Sequence, residues 1–225
     1  MSTEVIETIL SRRSVRWGFA DRPIPRDNLE RIVECGLAAP SSKNARPWRF
    51  HVIQDRTTLD SLARAAESAD GLEEWVPNDP ATGRPHTHWQ STVLDSAAVL
   101  REAPCGILIE NRGVFTGGRK GFIDATPEAV VASLLGYGFE WMGIGTALQN
   151  MWLAANSLGI AVSFLGDLAI IEAEARSRFD LEGDMVGILA LGYSDIVPTP
   201  RWPSPEETQT VTPVVWHLGQ NGGKT

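Results

Sequence analysis

Residues 129–158 set the tightest limit on the fold. The most apolar window of the chain is 129–148, and apolar residues at helical spacing continue to Leu158, where Gly159 supplies a stop. The window is long enough to cross a bilayer, but Glu140 and four glycines (Gly136, Gly138, Gly143, Gly145) stand inside it. It therefore reads as a buried helix of a soluble protein. Thr126-Pro127-Glu128 is a good start for it, with proline at the first helical position, and a break or bend is expected near Gly143. A helix this apolar has to be covered by the rest of the chain.

The remaining periodicities supply the cover. Residues 3–13 predict an amphipathic helix with Val5, Ile6, Ile9 and Leu10 on one side. Asp27-Asn28-Leu29-Glu30 has the spacing of a capping box, and the helix after it ends before Pro40. Residues 57–69, 91–103 and 170–179 also predict helices. Strands are expected at 49–53, 105–109, 160–164 and 185–191, with a last one at 211–218 that has no hairpin mate. Residues 70–92 form an irregular excursion in which Trp75 and Trp89 stand among polar groups, as in a lid or a substrate wall. The whole is one domain of α+β or α/β class, with about five strands outnumbered by helical residues.

Composition removes several functions. With 43% apolar and 21% charged residues the chain is globular, and a net charge of −8 with a pI near 5.0 argues against nucleic acid as a partner. Cys35 and Cys105 form no disulfide framework and are expected to be buried thiols in a reduced compartment. No basic start precedes an apolar run, so a signal peptide is not expected and the location reads as cytoplasmic, with no membrane partner. Gly143-Ile144-Gly145 begins a dinucleotide fingerprint, but Leu148 replaces its third glycine. The glycine-rich run 113–121 is no P-loop, because neither Ser nor Thr follows Lys120. The four histidines have no Cys or carboxylate cluster beside them to hold a metal.

What remains is Arg12-Arg13-Ser14-Val15-Arg16, three guanidinium groups and a hydroxyl in an acidic chain. Such a set suits the phosphate and polar edge of a cofactor; it equally suits an exposed helix C-terminus, where the dipole favours cations. A second polar stretch, Pro40-Ser41-Ser42-Lys43-Asn44-Ala45-Arg46-Pro47-Trp48, is dense in hydrogen-bonding groups. No nucleophile, general base or metal site is evident, which suits an enzyme whose cofactor carries the chemistry.

These residues, together with Gln149-Asn150-Met151-Trp152-Leu153-Ala154-Ala155, Leu191-Gly192-Tyr193 and a proline-rich tail with Arg201, resemble the FMN-dependent nitroreductase family from about residue 4 to 218. The resemblance implies an α+β fold with a mostly antiparallel sheet wrapped by helices. It implies a homodimer with FMN at the interface, and a C-terminal arm (198–225) whose strand crosses to the partner. By match of motif, Arg12, Ser14 and Arg16, with Arg13 beside them, would bind the phosphate, ribityl chain and pyrimidine edge of FMN. Pro40, Ser41, Ser42 and Asn44 would come from the other subunit. Ser163, Leu165 and Gly166 would form a turn beside the flavin, and Arg201 would return to the phosphate. Arg46 departs from the family, which often has Gln there; it would bring extra charge to the ring edge or point to solvent. Arg16 would neutralise charge that develops on the reduced ring. NADH or NADPH would be the donor, and nitroaromatics, quinones or similar compounds the acceptors in a ping-pong scheme, with Trp75, Trp89, Phe115 and Phe122 as candidate walls. The alternatives are an FMN-dependent dehydrogenase or dehalogenase acting on one metabolite, and a flavin-binding protein without catalysis.

Overall fold

The computed structural model of the chain describes residues 4–196, except 77, 80, 88 and 89. In order, these form α1 (Glu4–Ser11), α2 (Arg26–Leu37), β1 (Trp48–Ile53), α3 (Arg56–Glu67), α4 (Thr92–Glu102), β2 (Cys105–Asn111), α5 (Gly118–Ile123), α6 (Val130–Ser157), β3 (Ala161–Leu165), α7 (Glu172–Phe179) and β4 (Asp184–Gly192). Short 3₁₀ turns lie at Ser42–Asn44, Leu72–Trp75 and Asp167–Ile171. The strands make one sheet in the order β1-β2-β4-β3, with every pairing antiparallel. The α+β class follows. The strand expected at 211–218 and Arg201 both lie outside the described residues.

Strands β2 and β4 are buried along their whole length, which is why they read as unbroken apolar runs instead of alternating ones. Period-two geometry still sorts their side chains onto two faces. Leu108, Ile188 and Ala190 meet Leu59, Leu62 and Leu100 from α3 and α4. Ile107, Ile109, Leu189 and Leu191 meet Ile32 of α2 and Ile144 and Met151 of α6. Each such Leu or Ile contributes about 1.5–3 kcal/mol by leaving water. The sheet is thus a middle layer between helices.

Side chains fix some of the helix starts. Asp55 accepts the Thr58 N–H at 2.8 Å ahead of α3, and Ser91 accepts that of Val93 at 3.4 Å ahead of α4. The capping box at residues 27–30 does not form. Helix α2 begins two residues earlier, at Arg26, after Pro25, and Glu30 pairs with Arg26 at 2.7 Å. The fixed φ of proline sets the entry, leaving Asp27 inside the first turn.

Helix α6 differs from expectation in three ways. It begins at Val130, after a turn at 127–129, not at Pro127. It runs 28 residues without a break. Gly143 does not bend it; its missing Cβ lets Ser41 and Pro47 approach, and a Cβ there would lie 3.2 Å from each. Nor is α6 wholly buried: Val131, Leu134, Leu135 and Met142 are more than half exposed. No helix among the described residues is long and apolar enough to cross a membrane.

Candidate functional site

The arginine segment leaves α1 as extended chain. Arg12 still donates its N–H to Thr8 O at 3.1 Å; Ser14 then bridges Val162 in parallel, and the Val15 N–H reaches Val162 O at 3.0 Å. Val15 is buried at 6% exposure. In an extended segment neighbours alternate, so Ser14 and Arg16 are directed away from the face that Val15 buries. Arg16 is exposed and Ser14 half-buried. The Arg12 guanidinium lies 4.5 Å from the Trp152 ring centroid. Burial, and then the charge of Arg13, hold its pKa below the ordinary value. Two crowded cations of this kind favour an anion beside them.

The bridge to Val162 puts this segment alongside β3. Ser163 is 1% exposed, yet its Oγ has no hydrogen-bond partner among the described residues. A buried, unmated hydroxyl next to a cationic segment is suited to a polar ligand. The expected turn at 163–166 is not a turn. Ser163 and Leu165 belong to β3, and only Gly166 lies beyond it, leading into the 3₁₀ turn Asp167–Ile171. Phe164 and Leu165 pair with Leu189 and Ile188 of β4, which carries the strand on to its last residue.

The polar loop at residues 40–47 rests on α6. Thr146 Oγ1 donates to Pro40 O at 2.9 Å, and Gly143 admits Ser41 and Pro47. Ser41 Oγ accepts the Arg46 N–H at 3.0 Å, and Arg46 Nε donates to Asn44 Oδ1 at 3.3 Å. Arg46 is therefore tied into its own loop, with its side chain at the surface. Lys43, Asn44 and Arg46 have φ of 51°, 53° and 48°. Left-handed backbone is tolerable for Asn, but costs Lys and Arg roughly 1 kcal/mol or more each. Such cost gathers where a loop has to hold one shape for a ligand.

Within one chain the two sets stay apart. Thr146 and Trp152 are six positions apart on α6, roughly 9 Å of rise. Hydrogen bonds of the loop run within it and to α6. The loop instead borders the exposed apolar stripe of α6. The donors and cations present fit a flavin mononucleotide: guanidinium groups for its phosphate, an unmated hydroxyl, and a rigid polar loop.

Other expectations fall differently. Trp75 packs against the core below α3 and α4, and its carbonyl accepts from Thr92 Oγ1 at 3.1 Å, so it is no lid wall; Trp89 lies outside the described residues. Cys35 is exposed, not buried. Cys105 is buried, which pushes its thiol up to about 12. No group of three or more metal-ligating side chains occurs among the described residues. Three carboxylates buried among the described residues, Glu110, Glu140 and Asp184, are not singled out by the sequence as site groups. A lone acid inside an apolar run was the available signal for Glu140.

The sequence profile of the Nitroreductase family matches residues 9–193. An Archaeoglobus fulgidus protein named as an NADH dehydrogenase/NAD(P)H nitroreductase is 37% identical over 70% of this chain and 77% of its own. An iodotyrosine deiodinase of Haliscomenobacter hydrossis is 28% identical over 73% of this chain and 61% of its own. A nitroreductase with bound FMN from Desulfitobacterium hafniense superposes with a TM-score of 0.65 at 20% identity, covering 97% of this chain and 100% of that one.

Proposed function

The chain belongs to the nitroreductase family, and from that premise we propose that it passes hydride from NADH or NADPH through FMN to nitroaromatic, quinone or similar acceptors. Donor and acceptor use one slot in turn, and the active form is a homodimer. The observation that carries this reading is the bridge that sets Ser14 against Val162, because it brings the arginine cluster beside the unmated Ser163 hydroxyl.

FMN, when bound, accepts and releases the hydride. The chain's own residues bind and orient. Arg12, Arg13 and Ser14 hold the phosphate end, where a bidentate guanidinium contact is roughly twice as strong as a neutral hydrogen bond. Arg16 faces the pyrimidine edge and offsets negative charge there. Pro40, Ser41, Ser42 and Asn44 serve the partner's site, with Arg46 beside them. Leu165 and Gly166 offer backbone N–H groups at the ring. Arg201 and residues 211–218, to which the C-terminal roles fall on this reading, lie outside the described residues.

A second reading has one specific support, the similarity to a deiodinase: the same site dehydrogenates or dehalogenates one metabolite. The deciding experiment is spectroscopic. The purified protein should be yellow, release FMN on denaturation, bleach with NADH or NADPH, and recover colour with a nitroarene or quinone. Poor bleaching by either nicotinamide, alongside tight binding of a halogenated phenol, favours the second reading. A colourless protein that takes up no added FMN overturns both.

A further inference from the structure

The segment that leaves β2 at Asn111 reaches α6 through α5 and carries Phe115 and Phe122. Gly113, Gly117 and Gly118 have φ of 65°, 78° and 77°, left-handed backbone that folds it back on itself. Two carboxylates then hold it. Glu140 on α6 is 0% exposed. Its Oε1 accepts the N–H of Phe115 at 2.7 Å and of Thr116 at 3.0 Å, its Oε2 accepts Asn111 Nδ2 at 2.8 Å, and the Thr116 hydroxyl adds a contact at 3.3 Å. None of the ion pairs among the described residues involves Glu140. A buried acid with no counter-ion is costly, so its four donors have to make it tolerable. At the other end Asp184 accepts the Arg119 N–H, and the Arg119 side chain pairs with Glu172 at 2.8 Å.

The Asp184 end of this hold lies on the same strand as a contact of the site. Gly187 sits three residues along β4 from Asp184, roughly 10 Å of strand, and lies against Leu165 and Gly166. Glu172 opens α7, directly after the 3₁₀ turn that follows Gly166. The segment therefore approaches the Leu165–Gly166 end of the site through Arg119, and its aromatic rings pack along the first half of α6. Phe115 is partly exposed. Phe122 stacks on Tyr137 with centroids 5.8 Å apart, and Tyr137 meets Trp141 edge-on at 6.0 Å. Offset and edge-on rings of this kind present a flat apolar surface.

The geometry points to Glu140 as a positioning residue for the electron acceptor: by fixing the Phe115–Thr116 turn it sets the aromatic wall against which a flat, multi-ring acceptor stacks. This rests on the flavoenzyme reading above. Glu140 touches neither acceptor nor flavin; it acts through the backbone it holds.

The test is Glu140→Gln in the full-length, FMN-loaded protein. Glutamine keeps the shape but turns one acceptor oxygen into a donor facing N–H groups. Hydrogen exchange at the Phe115 and Thr116 amides should quicken, while FMN content and the flavin spectrum stay as in the parent. The kcat/KM for a two-ring naphthoquinone should fall about tenfold more than that for p-benzoquinone. A purely structural clamp would lower both acceptors together, and that result, or no change in either, overturns the proposal. If Glu140→Gln does not fold, Thr116→Val removes only the hydroxyl shared by Glu140 and Gly118 O. It should show the same selectivity at about threefold, and an unchanged ratio would overturn the proposal equally. A parent protein without FMN sinks the flavoenzyme reading and this inference with it; a parent that holds FMN, with an unshifted acceptor ratio in the variants, sinks this inference alone.

Discussion

Glu110 sits near the end of the interior strand β2 at 0% exposure, accepting three hydrogen bonds and pairing with one further cation. The Glu182 and Gly183 N–H groups lie at 2.9 and 2.6 Å, His51 Nε2 at 3.0 Å and Arg49 Nη1 at 3.6 Å. Burial pushes its carboxyl up, but the His51 and Gly183 hydrogen bonds and the charge of Arg49 outweigh that and leave it below the ordinary value. A carboxyl depressed on folding adds stability above its unfolded pKa, about 4.5, and that stability is lost as pH falls through the folded pKa. Glu110→Gln should cost about 1–3 kcal/mol at neutral pH, because the backbone donors lose a charged acceptor. Its melting temperature should then fall less steeply than the parent's between about pH 5 and 3; parallel curves would refute the assignment. Sequence placed His51 on a strand but not its partner 59 positions away. The two meet because the register sets His51 opposite Leu108, making Glu110 its diagonal neighbour. A pairing of that kind depends on register, which local patterning does not fix.

At the scale of elements, α6 shows which signals carry. Its apolarity was enough to place a long helix, but not to say which face stays open, because a surface awaiting another chain has the same composition as a core. Glycine weakens a helix, so the sequence suggests a bend at Gly143; the reason for it lies about 100 residues away, in a loop that has to come close. Gly143→Leu gains about 1 kcal/mol of helix propensity and loses about 1–3 kcal/mol to overpacking against Ser41 and Pro47. The net change in melting temperature should be small. FMN affinity should fall by about tenfold, as the displaced loop withdraws its polar groups. An unchanged titration would remove the loop from the site. Charge alone leaves the arginine cluster open between a cofactor grip and an exposed helix end, whereas the unmated Ser163 hydroxyl beside it only appears once β3 is paired.

For the molecule as a whole, the α+β class and the described strands were legible because each strand is a short apolar run between turn signals. The layering was not, since buried strands hide which face each side chain takes. The two halves of the proposed site lie apart in one chain, and the open stripe of α6 adjoins one of them. A second copy seated on that stripe would bring them together. The double variant Val131→Glu, Met142→Lys puts charges where both residues are more than 60% exposed, and so should leave the isolated fold intact. Light scattering should report a monomer that no longer retains FMN. A variant that stays dimeric, or a monomer that keeps its flavin, would refute the shared site.

Lys43, Asn44 and Arg46 hold left-handed backbone that glycine would adopt more easily. On the proposed reading, the ordering of that loop is charged to folding and not to binding, so the incoming cofactor meets a template already cast. Glycines there would ease the native backbone and blur the template together, trading occupancy of the flavin for comfort of the chain.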